Sequence, residues 1–137
     1  MGSGRGLRGD RGASAVELAV VAPALLLLIF FSIQAALWEY GRSVAEQSAR
    51  EAVSRLRVIV VGADVPSALA AAQVEAENYA RSVGRESVLD PVATATLTGP
   101  ARVRVSVSGR AISLVPGVTL TVHGAAEGDI EQFQVDR

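Results

Sequence analysis

Gly12, Ala13, Ser14 and Glu17 stand in the one stretch of this 137-residue chain where residue type and spacing point to chemistry. Glu17 is the sole charged side chain between Ala13 and Trp38, at the mouth of an otherwise apolar run. A carboxylate costs up to ~3 kcal/mol at mid-bilayer and less near the interface, so one placed here needs a reason. Were the chain cut after Gly12, Ala13 would carry a free ammonium one helical turn from Glu17, and the ammonium of a neighbouring helix would be an equally good counter-charge. Without a cut, Ser14-x-x-Glu17 is a capping box, and a carboxylate in a helix's first turn suits the helix dipole. The two roles are compatible. Six residues on, Pro23 removes one backbone hydrogen bond and crowds the carbonyl of Ala19, which bends or loosens a helix.

Other chemistries find no support in the residues. His123 is the only histidine and ends a strand-like segment, where it reads as a surface or edge residue rather than a ligand or base. There is no cysteine, so a disulfide framework and a thiolate metal site are excluded, and no His and carboxylate residues fall at metal-binding spacing. The glycine-rich start lacks the strand, spacing and lysine of a phosphate loop. Arg8-Gly9-Asp10 spells an adhesion tripeptide, but the expected topology leaves it in the cytoplasm. All thirteen cations are Arg, the formal net charge is −1, and no basic cluster follows the first dozen residues, so a nucleic-acid footprint is absent. Neither an enzyme nor a cofactor nor a small-molecule substrate is expected.

The elements that position these residues are legible from hydropathy. Residues 1–12, MGSGRGLRGDRG, hold five glycines and three arginines with no apolar periodicity, and read as a basic disordered leader. From Leu18 to Leu37 only Pro23, Ser32 and Gln34 interrupt the apolar run, which meets the ~20 residues needed to cross ~30 Å of hydrocarbon. Residues 13–38 are therefore the expected transmembrane helix, with Trp38 and Tyr40 as interface anchors at its far end. Arg5, Arg8 and Arg11 against Asp10 put the N-terminus in the cytoplasm.

Helix is expected to continue over residues 39–62, where Glu39/Arg42, Glu46/Arg50 and Glu51/Arg55 are spaced three or four apart. Leu37, Gly41, Val44, Ser48, Ala52, Leu56 and Ile59 form one stripe there, and its small middle residues permit close approach. Gly62 marks a stop after the β-branched run Val58 to Val61. Residues 63–137 read as a small extracytoplasmic α+β domain. Asp64 is the expected N-cap of a second helix over residues 65–83 that ends at Gly84, with Leu69, Ala72, Val74, Ala76 and Tyr79 on its apolar face. Period-two patterns over residues 92–98, 101–108 and 118–123 predict an antiparallel sheet of three to four strands, and the stretch from Gly124 is a last short strand or a loose tail.

The junction Arg11-Gly12-Ala13-Ser14-Ala15-Val16-Glu17 resembles the processing site of type IV prepilins and pseudopilins, with a basic leader ending in Gly and a Glu fifth in the trimmed chain. The run Ser14-Ala15-Val16-Glu17-Leu18-Ala19-Val20-Val21-Ala22-Pro23 is similar to the opening motif of TadE-like proteins, pseudopilin-like components of the tight-adherence pilus system. Ser48-Ala49-Arg50-Glu51-Ala52 resembles a second motif of that family. Leu18 stands where the family often has an aromatic. The likeness covers roughly the first 55 residues. It implies a prepilin peptidase cutting between Gly12 and Ala13. It further implies pilin or pseudopilin subunits docked through Glu17 and the Pro23 region of the helix, in the cell membrane. Two other readings compete: an uncleaved anchored binding protein, and a secreted protein whose signal peptide ends near Ile33-Gln34-Ala35.

Overall fold

The computed structural model describes residues 9–59 and 64–130. Their architecture is α+β: a long N-terminal helix, a second helix, then a three-stranded antiparallel sheet. The elements are α1 (Gly9–Ile59), α2 (Val65–Gly84), β1 (Val88–Gly99), β2 (Arg102–Ala111) and β3 (Leu120–Asp129). The chain divides into two compact units, Met1–Ala35 and Ala36–Arg137. The second holds the rest of α1, α2 and the sheet.

Helix α1 begins at Gly9, inside the stretch expected as a leader, and Ser14 is consequently not its N-cap. Once a long helix is nucleated, each added residue gains a hydrogen bond, so it propagates back through glycines that would not start one. The rest of the leader, residues 1–8, lies outside the described residues, as do Gly62 and the side chains of Ser14 and Ile59. Helix continues through Pro23 without a break.

In the second unit, the expected stripe of α1 is buried from Gly41 through Val44, Ser48, Ala52 and Leu56, joined by Ala45, Ala49 and Val53. Burial in pairs, four and three residues apart, is what a helix facing both a sheet and another helix requires. Ser48 satisfies its buried hydroxyl within the helix by donating to the Val44 carbonyl oxygen at 2.7 Å. On the outer surface Arg42 pairs with Glu46 rather than with Glu39, at 3.2 Å, and Arg50 with the same Glu46, also at 3.2 Å. Arg55 bridges Glu51 at 3.0 Å and Glu75 of α2 at 3.1 Å. The hydrogen bond to Glu51, then the charge of Glu75, hold the Arg55 guanidinium above its ordinary range. Such stabilisation would be lost only as pH rises through the guanidinium range, so it makes folding no more pH-dependent at neutrality.

Helix α2 spans the expected residues, but its buried face is Ala68, Ala72, Ala76, Ala80 and Gly84, while Val74 is exposed. The alanine row at every fourth position brings the helix closer to its neighbours than a face containing Val74 and Tyr79 would. Asp64 occupies the N-cap position, yet its carboxylate accepts from the Ser67 hydroxyl instead of a helix amide. At the other end Arg85, not Gly84, takes the positive φ of 45°. Gly84 is needed for space, since a Cβ there would sit 3.1 Å from a Val44 methyl.

The sheet is a meander, β1-β2-β3, with Val103, Val105 and Val107 of the central strand fully buried. β1 starts earlier than its alternation suggested, at Val88. Asp90 with φ 48° and Pro91 form an irregularity between Leu89 and Val92, which an edge strand tolerates because proline has no donor to lose. Glu77 of α2 accepts the Ala93 amide at 3.1 Å, which blocks part of this edge from pairing with another strand. β3 runs in continuous register with β2 from Leu120 to Asp129. The stretch from Gly124 is therefore the continuation of that strand, and its further tail, residues 131–137, lies outside the described residues. No fourth strand occurs among the described residues. On the outer face Arg102 pairs with Asp129 at 2.9 Å, Arg104 with Glu127 at 3.2 Å, and Arg110 with Asp90.

Leu56, 1% exposed, joins one core with the valines of β2 and the alanines of both helices. Leu56→Ala is expected to lower the unfolding free energy of the detergent-solubilised chain by about 3 kcal/mol, the cost of lost burial plus a cavity. A shift under about 1 kcal/mol in a urea titration would place the core elsewhere.

The N-terminal helix as candidate functional site

Every residue singled out for processing or docking lies on α1. The helix carries Gly12, Ala13 and Ser14 in its first turns, then Glu17, then Pro23. Glu17 is exposed, and so are Val16, Leu18, Val20 and Val21 around it. Large apolar side chains stay exposed at consecutive positions from Leu25 to Ile29 and again at Phe31 and Ile33. Exposure at consecutive positions means the helix is apolar all round, not along one stripe, which is unstable in water and suited to lipid or to a bundle of like helices. It is the one helix among the described residues long and apolar enough to cross a membrane, and none of its apolar window is buried.

Glu17 is thus a single carboxylate on a surface otherwise built of Val, Ala and Leu. Its own helix offers no cationic side chain within one turn toward the C-terminus, where Val20 and Val21 stand. Any counter-charge must come from the start of the chain or from another molecule. Pro23 lies on the same exposed helix, one to two turns on, and leaves the Ala19 carbonyl without its helical donor. Ser32 donates to the Leu28 carbonyl oxygen at 2.8 Å, a bond within its own helix.

At the far end of the apolar run Trp38 does more than mark a boundary. Its indole N–H donates to the Thr121 carbonyl oxygen at 3.1 Å, and the Arg42 guanidinium lies 6.0 Å from its ring centroid, the reach of a cation–π contact. Tyr40 is exposed. Trp38 thereby ties α1 to the first residues of β3.

The buried stripe was foreseeable from type and spacing. The fit between α1 and β3 was not. A Cβ on Gly124 would come within 2.5 Å of Glu46 Cα and closer still to the Glu46 amide nitrogen, and one on Gly128 would strike Val53. The alternation Gly124, Ala126, Gly128 is period two, like any half-buried strand, but glycine in a strand usually signals a weak strand rather than close backbone approach. His123 is exposed beside Gly124 in a cleft shared with Arg42, Glu46, Arg104 and Ser106, where each arginine already holds a carboxylate.

The TadE-like protein family model matches residues 12–54. The match opens on Gly12, includes Glu17 and Pro23, and ends within α1, leaving α2 and the sheet outside it. Neither the curated proteins nor the solved structures compared with the chain yield a match. The TadE-like match therefore lies wholly within α1.

Proposed function

We propose that this chain is a single-pass membrane protein associated with a tight-adherence pilus. In this reading a prepilin peptidase cuts it between Gly12 and Ala13, and Glu17 docks its helix against other pilin or pseudopilin subunits. The observation that carries this reading is the coincidence of three features on one helix: the TadE-like match, the all-round apolar surface, and one unpaired-by-sequence carboxylate at its entrance. A carboxylate in that setting favours association with any helix that brings a positive charge, because leaving it alone near hydrocarbon costs up to ~3 kcal/mol. A trimmed neighbour's N-terminal ammonium is such a charge, and it fixes register as well as choice of partner. The basic leader keeps the N-terminus in the cytoplasm and the α+β domain outside. Trp38 and Tyr40 then sit at the outer headgroup level.

Glu17→Ala is expected to leave membrane insertion and trimming intact while reducing co-purification of partner subunits at least ~10-fold, the loss of about 1.4 kcal/mol in a coupled charge pair. Recovery of partners at the wild-type level by this variant, extracted in mild detergent, would remove Glu17 from the docking surface.

A further inference from the structure

We infer that residues 112–119, the loop between β2 and β3, form a second membrane contact that dips apolar side chains into the outer lipid interface. The inference rests on the reading of the apolar part of α1 as a bilayer span. From Ala111 to Val122 the sequence AISLVPGVTLTV holds no charged residue. Leu114 and Val118 keep 41% and 45% of their surface exposed, and Pro116 and Gly117 are exposed between them.

Placement supplies the occupant. β3 runs alongside α1 in the same direction: Trp38 meets Thr121, Gly41 meets Val122, the Ala45 and Glu46 backbone meets Gly124, and Val53 meets Gly128. The chain before Thr121 therefore lies toward the Trp38 end of this part of α1, and Trp38 is the first residue beyond the apolar run. The loop at the opposite end of the sheet, Gly99 to Ala101, is flanked by the Arg102–Asp129 ion pair, whereas the loop at the Trp38 end has the Arg110–Asp90 pair on its β2 side and only Leu120, Thr121 and Val122 on its β3 side.

The backbone of the loop is also prepared for an apolar medium, where an unsatisfied amide is costly. Ser113 donates its hydroxyl to the Val115 carbonyl oxygen at 3.1 Å, and the same hydroxyl accepts the Val115 amide at 3.2 Å. The Val118 amide donates to the Val115 carbonyl oxygen at 3.2 Å, and Gly117, with φ 80°, closes the turn. An uncharged turn that bonds part of its own backbone and turns Leu and Val outward is suited to the headgroup boundary.

The chain has no cysteine, so single labels are easily placed. Leu114→Cys and Val118→Cys would each carry an environment-sensitive fluorophore in the full-length chain, reconstituted into phosphatidylglycerol-containing vesicles. Phe31→Cys serves as the control within the span and Thr98→Cys as the control at the opposite end of the sheet. The expected result is a blue shift at 114 and 118, with loss of emission when the lipid carries a spin label near its headgroup, and neither effect at 98. Water-like emission at 114 and 118 with the label at 31 still quenched would overturn the loop contact and leave the span standing. A blue shift without quenching would mean that protein, not lipid, covers the loop, and would overturn it equally. An unquenched label at 31 would remove the span, and this inference with it.

Discussion

Replacing Gly124 with valine is expected to destabilise the extramembrane domain by about 3 kcal/mol or more, the upper range for forcing atoms into a packed site. The position carries no unusual backbone angle, so the effect has a purely steric origin. A Cβ on Gly124 overlaps the backbone of α1 at Ala45 and Glu46, and a helix backbone cannot step aside as a flexible side chain can. Either α1 separates from β3, exposing Val53 and the small-residue face beneath it, or β3 loses its register with β2. Valine would otherwise favour a strand, which makes the expected sign opposite to that of β propensity. Ala125→Val, one residue on and facing outward, is the matched control and should fall within about 0.5 kcal/mol of wild type. Urea titrations of the full-length variants in detergent, followed by circular dichroism, separate the two. Equal midpoints would mean that α1 and β3 do not meet as described.

Gly12→Leu is the second large expected effect, and it acts on processing rather than stability. In the proposed reading a peptidase cleft receives a glycine on the leader side of the cut. A branched side chain at that position should be rejected, so the trimmed form disappears and the chain keeps its first twelve residues. The retained leader would also leave Ala13 without a free ammonium, so partner association should fall as it does in Glu17→Ala. Intact mass of the variant purified from membranes reads the outcome directly. A chain beginning at Ala13 in this variant would move the cut elsewhere.

How much was legible in the sequence depends on which force decided each element. The apolar run from Leu18 to Leu37 and the stripe through Val44, Ser48, Ala52 and Leu56 were plain, because hydrophobic periodicity writes itself directly into residue type. The three strands were also plain in kind. Where the reading went astray, packing distance rather than polarity was the deciding quantity. The expected α2 face held for Ala72 and Ala76, with Leu69 packed against the core, but Val74 is exposed and the buried row continues through Ala68 and Ala80, whose small side chains allow closer approach. The stretch holding Gly124 and Gly128 read equally as a short strand or a loose tail for the same reason: the absence of a side chain records nothing about the neighbour that required it. The Ser14-x-x-Glu17 pattern is that of a capping box, but a helix as long as α1 extends upstream to Gly9. Of the candidate site, Glu17 and Pro23 stand out because each is an exception within its surroundings, and Gly12 because it closes the basic stretch five residues before Glu17. The bond from Trp38 to Thr121 was not, since it joins residues far apart in the chain through a backbone carbonyl that no sequence pattern marks.

The central claim, a membrane helix trimmed at one end and docked laterally, meets its most direct test in N-terminal sequencing and intact mass of the native protein recovered from membranes. The expected result is a chain that begins at Ala13 and requires detergent for release. A chain retaining Met1 would contradict processing, and one beginning near Ala36 and soluble without detergent would contradict the anchor itself.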